Sequence, residues 1–182
     1  MGWVAINLTE DGIDGLLSRI RALGTLDHVY HRGHRVDGPL SCTVAPAMPW
    51  NGREMEVVLN LTLPGDLERL WTKTSGLRLF EDIKDGQWGL VLWGPAGALR
   101  KSPMEISRRK IDFRSGDLVV GEFLGDADLL VIRCDRGADD FGKAMIALEI
   151  DPRDEWPTVG KSTLEFLEKF IDASGDKFWE PL

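Results

Sequence analysis

The sequence predicts an α+β domain in which a twisted, largely antiparallel sheet is packed against N-terminal helices and a C-terminal helix. The signs are apolar residues at helical spacing near both ends, strand-forming runs between them, and connections between consecutive strands too short for crossover helices. With 182 residues, 43% hydrophobic and 29% charged, the chain suits one compact domain and departs from disordered, collagen-like and coiled-coil compositions.

Asp11 to Gly24 places Ile13, Leu16, Leu17, Ile20 and Leu23 on one helical face, with Gly24 as a stop. Gly33 to Gly52 carries Pro39, Pro46 and Pro49 among few charges, which predicts an irregular connection packed on the domain. Arg53 to Leu59 is ambiguous, because Val57 and Val58 favour a strand while Met55, Val58 and Leu59 share a helical face. After Leu63, Pro64 suits a first helical position, Leu67, Leu70 and Trp71 line a face, and Gly76 ends the run. Strands are expected at Gln87 to Trp93, at Leu118 to Leu124 and Leu129 to Cys134 around Gly125-Asp126, and at Ala144 to Ile150. Ser162 and Glu165 form an S-x-x-E capping box for a last helix bearing Leu164, Leu167, Phe170 and Ile171, with Gly175 terminating it. The expected order is helices first, strands next and a helix last.

The charge-free stretches Gly38 to Gly52 and Gly86 to Leu99 fall short of the about 20 apolar residues of a membrane span, so no membrane partner is expected. The first residues lack a secretory signal's basic and apolar regions, and Ile6 breaks the myristoylation pattern. The sequons at Asn7 and Asn60 then carry little meaning, and a cytoplasmic protein with Cys42 and Cys134 reduced is expected. No repeat or low-complexity tract is visible.

The net charge of −8 is unevenly spread: residues 121 to 182 carry 7 basic and 15 acidic side chains. Such a field repels phosphates and steers basic partners, and it serves solubility equally well.

Each motif that suggests chemistry has a plainer explanation. His28, His31 and His34 recur every third residue, but Arg32 and Arg35 oppose a metal ion and a solvated polar loop accounts for them. Gly160-Lys161-Ser162 resembles the end of a phosphate-binding loop, yet Glu155 replaces its first glycine and Ser162 is explained as a cap. Gly94-Pro95-Ala96-Gly97 misses a dinucleotide fingerprint and suits a tight turn. Asp126 and Asp128, like Asp139 and Asp140, suit turns better than a metal pair. No local nucleophile motif occurs, so no catalytic residue, cofactor or metal is expected. The basic cluster Arg100, Lys101, Arg108, Arg109, Lys110 and Arg114 has only Phe113 to stack a base, which favours a solvated loop or strand face over nucleic-acid binding. Among seven tryptophans, Trp71 suits a core, while Trp50 and Trp93, beside glycines and prolines, could anchor an interface.

Several segments together resemble the SUKH superfamily, the Smi/Knr-type domain of bacterial toxin-immunity proteins. Leu63-Pro64 through Trp71, then Ser75-Gly76 and Leu79-Phe80, is similar to its Leu-Pro helix signature. Phe123 to Val131 looks like its strand, Gly-Asp turn and strand, and Ala147 to Ile150, Trp156-Pro157 and Ser162 to Leu167 look like its late strand and closing helix. The matches run in order over roughly residues 51–170, and the resemblance tips Arg53 to Leu59 towards helix. Residues 1–50 then form an N-terminal extension with one helix. Leu63, Pro64, Trp71, Gly76, Gly125 and Asp126 match family positions that are scaffolding. The resemblance implies an immunity protein, not an enzyme, that neutralises a cognate toxin, often a nuclease or other nucleic-acid-modifying domain. On charge, the toxin should be basic and should meet Asp126, Asp128, Asp135, Asp139 and Asp140, with Trp93 as an aromatic anchor. A regulatory interaction scaffold is the alternative, a metal- or nucleotide-dependent enzyme the lesser one, and self-association is left open.

Overall fold

Pairing of sequence neighbours builds the sheet. The computed structural model describes residues 10–180. Along them run α1 (Glu10–Leu23), β1 (Thr25–His31), β2 (His34–Val44), α2 (Gly52–Leu59), α3 (Gly65–Lys73), β3 (Gly76–Asp82) and β4 (Leu90–Trp93). There follow α4 (Pro95–Arg108), β5 (Asp117–Phe123), β6 (Leu129–Arg133), β7 (Ala144–Ala147), a 3-10 turn at Arg153–Glu155, β8 (Thr158–Gly160) and α5 (Thr163–Asp172). The strands form one open, twisted sheet in the order β1 to β8, every pairing antiparallel. The fold is therefore α+β. Even the helical insertions between β2 and β3 and between β4 and β5 return the chain to an antiparallel neighbour, so neither is a crossover.

Side chains alternate between the two faces of a strand, and here both faces are used. Leu77, Leu79, Leu90, Leu92, Leu130, Ile132 and Ile146 join Ile13, Leu17 and Ile20 of α1, Leu67 and Trp71 of α3, and Leu167 and Phe170 of α5 in the main core. The opposite face carries a smaller core of Trp93, Val119, Val131, Met145 and Ala147 with Phe113 and Trp156. In β5, Val119 pairs with Val131 and Gly121 with Leu130, leaving Val120 as an extra residue. That bulge resets the alternation, so Leu118, Val120 and Phe123 all reach the main core.

The helices at α1, α3 and α5 follow the expected spacing, and Arg53 to Leu59 is helical. Asn51 caps α2 by accepting from the Glu54 N–H at 3.2 Å. Ser162 caps α5 by accepting from the Glu165 N–H at 3.1 Å, while the Glu165 carboxylate accepts from the Lys161 N–H at 3.1 Å. Trp71 donates its indole N–H to the Trp93 carbonyl at 3.1 Å, tying α3 to β4. Leu63 is buried beside it, Pro64 stands at the N-cap of α3 just outside the helix, and Gly125, at φ +100°, makes the β5–β6 turn.

Several expectations need correction. Gly33 to Gly52 is mostly strand β2, because a bulge absorbs Gly38-Pro39 between the Leu26–Leu40 and His28–Asp37 pairs and restores the alternation of buried Leu40 and Cys42. The histidines accordingly lie on the β1–β2 hairpin, not in a loop. Gly76 does not end α3; Thr74 does, and Gly76, at φ +149°, opens β3. Gly94-Pro95-Ala96-Gly97 is the start of α4, with proline in its first turn where a missing N–H costs nothing. Much of the basic cluster is thus helical. α4 lies along the first half of β5, whose edge β4 does not reach, and buried Ser102 accepts from the Val119 N–H at 2.9 Å in place of a strand. The order is consequently mixed: two strands precede α2, and α4 divides the strand run.

A Cβ at Gly94 would fall on the Ser75 backbone carbonyl. Gly94→Ala is expected to lower the unfolding free energy in urea by about 1–3 kcal/mol; an unchanged midpoint would show that the β4–α4 junction yields freely.

Candidate partner-binding surface

The expected acidic residues do not form one surface. Asp126 and Asp128 lie in the β5–β6 turn and Asp135 to Asp140 in the β6–β7 loop, at opposite ends of β6. Five strand residues span about 17 Å at about 3.3 Å each.

The β6–β7 loop is drawn inward by one arginine. Leu130 and Ile132 of β6 face the helices, so Arg133 shares the other face with Val131. There its buried guanidinium meets Asp117 at 3.3 Å, Asp135 at 3.0 Å and Asp140 at 3.1 Å, and donates to the Ser115 carbonyl. Arg153 binds Asp117 from the other side, with its Nη2 at 3.1 Å from Oδ1. Asp117 is fully buried and carries two guanidinium partners. Asp135 and Asp140 are therefore paired with Arg133, with their side chains still 42% and 30% exposed. Asp139 points to solvent with no ion pair among the described residues.

The β5–β6 turn is similarly occupied. Asp128 is 7% exposed, so it is not the surface carboxylate expected from sequence. Its Oδ1 accepts from the Glu149 N–H at 3.0 Å. Burial holds this carboxyl above the usual range, and the negative charges of Glu180, Glu149 and Asp151 push the same way. Asp126 pairs with Lys177, a lysine only 3% exposed that sits 5.0 Å from the Trp88 ring and 5.8 Å from Phe123. Burial pushes the Lys177 ammonium down to about 8, against the pull of Glu180.

Trp93 is 6% exposed and internal. Its indole N–H donates to Glu122 at 3.2 Å, and Lys101 reaches the same carboxylate at 2.9 Å while lying 4.4 Å over the ring. As an anchor reaching into a partner it is thus corrected. Trp50 packs edge-on against Trp71 at 5.5 Å. His31 meets Asp176 at 2.7 Å and Glu180 at 3.4 Å, which ties the β1–β2 hairpin to the segment after α5. Cys42 and Cys134 are buried free thiols, and burial pushes both above the ordinary thiol range.

An outward-facing acidic surface is the β7–β8 loop, where the sequence predicts the end of a strand. β7 stops at Ala147, and the chain continues through Leu148-Glu149-Ile150-Asp151 towards Pro152. Arg109, just beyond α4, holds it from below: it donates to the Leu148 carbonyl and, at 2.6 Å, to the Asp151 carbonyl. Trp156 donates to the Asp151 carbonyl at 3.0 Å, and its ring lies between Arg109 and Arg153 at 5.4 and 4.9 Å. On this braced loop Ile150 is 89% exposed. Glu149, Asp151, Asp154 and Glu155 surround it in sequence with no ion pair among the described residues, and Asp126 lies near through the Asp128–Glu149 hydrogen bond. The readable signal was a large apolar residue between acids just before a proline, where a strand would have buried it.

Two stability measurements follow from these groups. Arg133→Met leaves Asp117 with Arg153 as its one guanidinium partner, beside the Arg114 N–H, and is expected to cost about 3 kcal/mol in urea unfolding, near the lower end for a broken buried pair; a loss under about 1 kcal/mol would show that Arg153 suffices. For Asp128, ionisation costs the folded state stability, absent below the ordinary carboxylate range near about pH 4 and growing as pH rises through the elevated folded value. Asp128→Asn keeps the acceptor and is expected to raise Tm at pH 7, with the gap narrowing towards pH 4; a gap independent of pH would dissociate it from this carboxyl.

Among the described residues no helix is long and apolar enough to cross a membrane. No family model matches the chain, and no curated protein matches it.

Proposed function

We propose that the protein is a cytoplasmic immunity-type binding protein, acting by occlusion and not by catalysis, that neutralises a basic toxin through the β7–β8 loop. The observation that carries this reading is the braced loop itself: exposed Ile150 set among Glu149, Asp151, Asp154 and Glu155, none of which has an internal ion pair among the described residues. An exposed apolar residue on a loop that also carries unpaired carboxylates suits a partner that offers an apolar recess bordered by lysines and arginines, and complementary charge raises the association rate before any contact forms. Bracing by Arg109 and Trp156 lowers the ordering cost of binding. A toxin that acts on nucleic acid must itself carry positive charge to hold phosphates, so an acidic loop fits the surface such a toxin presents. The ordered resemblance to SUKH segments points the same way. A scaffold that bound several partners through its tryptophans would need them exposed, and all those among the described residues are buried or half-buried.

The test is capture of the tagged full chain from lysate of its own source at low and high salt, followed by assay of the captured partner's activity. One stoichiometric basic partner whose nucleic-acid-degrading activity is suppressed is expected, with Glu149→Lys, Asp151→Lys and Asp154→Lys together weakening binding on the order of 10- to 100-fold, mainly through association rate. Several unrelated partners bound without regard to salt would overturn the reading in favour of a scaffold.

A further inference from the structure

A concavity lies elsewhere. It is a groove of about 540 Å³ on the face of the sheet away from α1, α3 and α5, floored by β2, β3 and β4 and walled by the first turns of α4. Its volume is that of a small-molecule site, for which about 300–1,000 Å³ is typical. Its charge runs against that of the whole protein: Arg78, Arg100 and Lys101 line it against the single carboxylate of Glu122, in a chain of net charge −8.

The cations are not equally engaged. Arg78 is paired with Glu81, and Lys101 is fixed by Glu122 at 2.9 Å and by the face of Trp93. An ammonium carries three donors, so that ion pair leaves others for a ligand. Arg100 is exposed and has no carboxylate partner among the described residues. It stands three residues after Gly97, on the same face of α4, and Gly97 also lines the groove. A concave wall focuses the field of such charges, and a guanidinium offers paired donors suited to planar carboxylates and to phosphates.

We infer that this groove is a binding site for a small organic ligand carrying an oxyanion, carboxylate or phosphate, held by Arg100 and Lys101 with the Trp93 ring behind them. The inference is independent of the β7–β8 loop and of any protein partner.

Trp93 provides a local signal, because its indole N–H is hydrogen-bonded to the carboxylate that also holds Lys101. The experiment is an NMR titration of the 15N-labelled full chain at fixed ionic strength with inorganic phosphate, phenyl phosphate and citrate, with chloride as the control. The Trp93 indole signal is assigned by its loss in Trp93→Phe. A saturable shift of that signal with phosphate, phenyl phosphate or citrate, weakened at least tenfold in Arg100→Glu and unchanged in Lys161→Glu on the far surface, is the expected result. Response to citrate alone would assign the ligand group as carboxylate, and response to phosphate or phenyl phosphate alone as phosphate. Failure of all three to saturate by about 10 mM, or equal affinity in Arg100→Glu, would overturn the inference.

Discussion

From β5 to β7 the sheet is covered on both faces and has no spare side: almost every residue there enters one core or the other, and one slip in pairing exchanges them all. The Val120 bulge in β5 is where this requirement is met for the whole molecule. In a regular strand Leu118 and Phe123, five residues apart, would point to opposite faces, and the Phe123 ring would leave Phe170, which it meets edge-on at 6.0 Å. Because the bulge keeps Leu118 and Val120 inward, Asp117 and Val119 face outward together with Val131 and Arg133. The buried ion pairs, the smaller core and the bracing of the β7–β8 loop all stand on that face.

Where local pattern and tertiary role coincide, the fold was readable from sequence. The stripe of α1, the Leu67–Leu70–Trp71 face of α3 and the capped start of α5 each bury what their spacing implies. Legibility failed where a residue serves something distant in sequence. Pro39 disguised β2 because it lies in a bulge, and the apolar alternation resumes only at Leu40. α4 was hidden because it has no wide apolar stripe: Ala98 and Ser102 are buried while Arg100 borders a groove and Pro103 interrupts the helix interior. Its role as a substitute strand beside β5 depends on where β4 ends, which no local window contains.

The proposed binding surface was legible as a charge balance and not as a set of residues. Asp135 and Asp140 have the same composition signature as Glu149 and Asp151, but Arg133 pairs with the first two. Which carboxylates remain free is decided by where arginines from other strands and helices reach. Arg109 illustrates the point: it belongs to a basic run in sequence, yet it spends its donors on the backbone of an acidic loop.

The sequential order of the strands has a consequence for synthesis. Each strand pairs with the one made just before it, so the pairings outside the helical insertions before β3 and β5 close over short stretches of chain, the arrangement associated with more rapid folding among β-containing proteins. A chain emerging from the ribosome can lay down its sheet progressively. The main core is different, because Phe166 and Phe170 of α5 are made after all eight strands. Until they arrive, Phe80 and Phe123 lack their aromatic partners. The nascent protein therefore carries a nearly finished sheet that α1 and α3 can cover but whose apolar patch under α5 is still wet, and it is in that interval that a chaperone has most to shield.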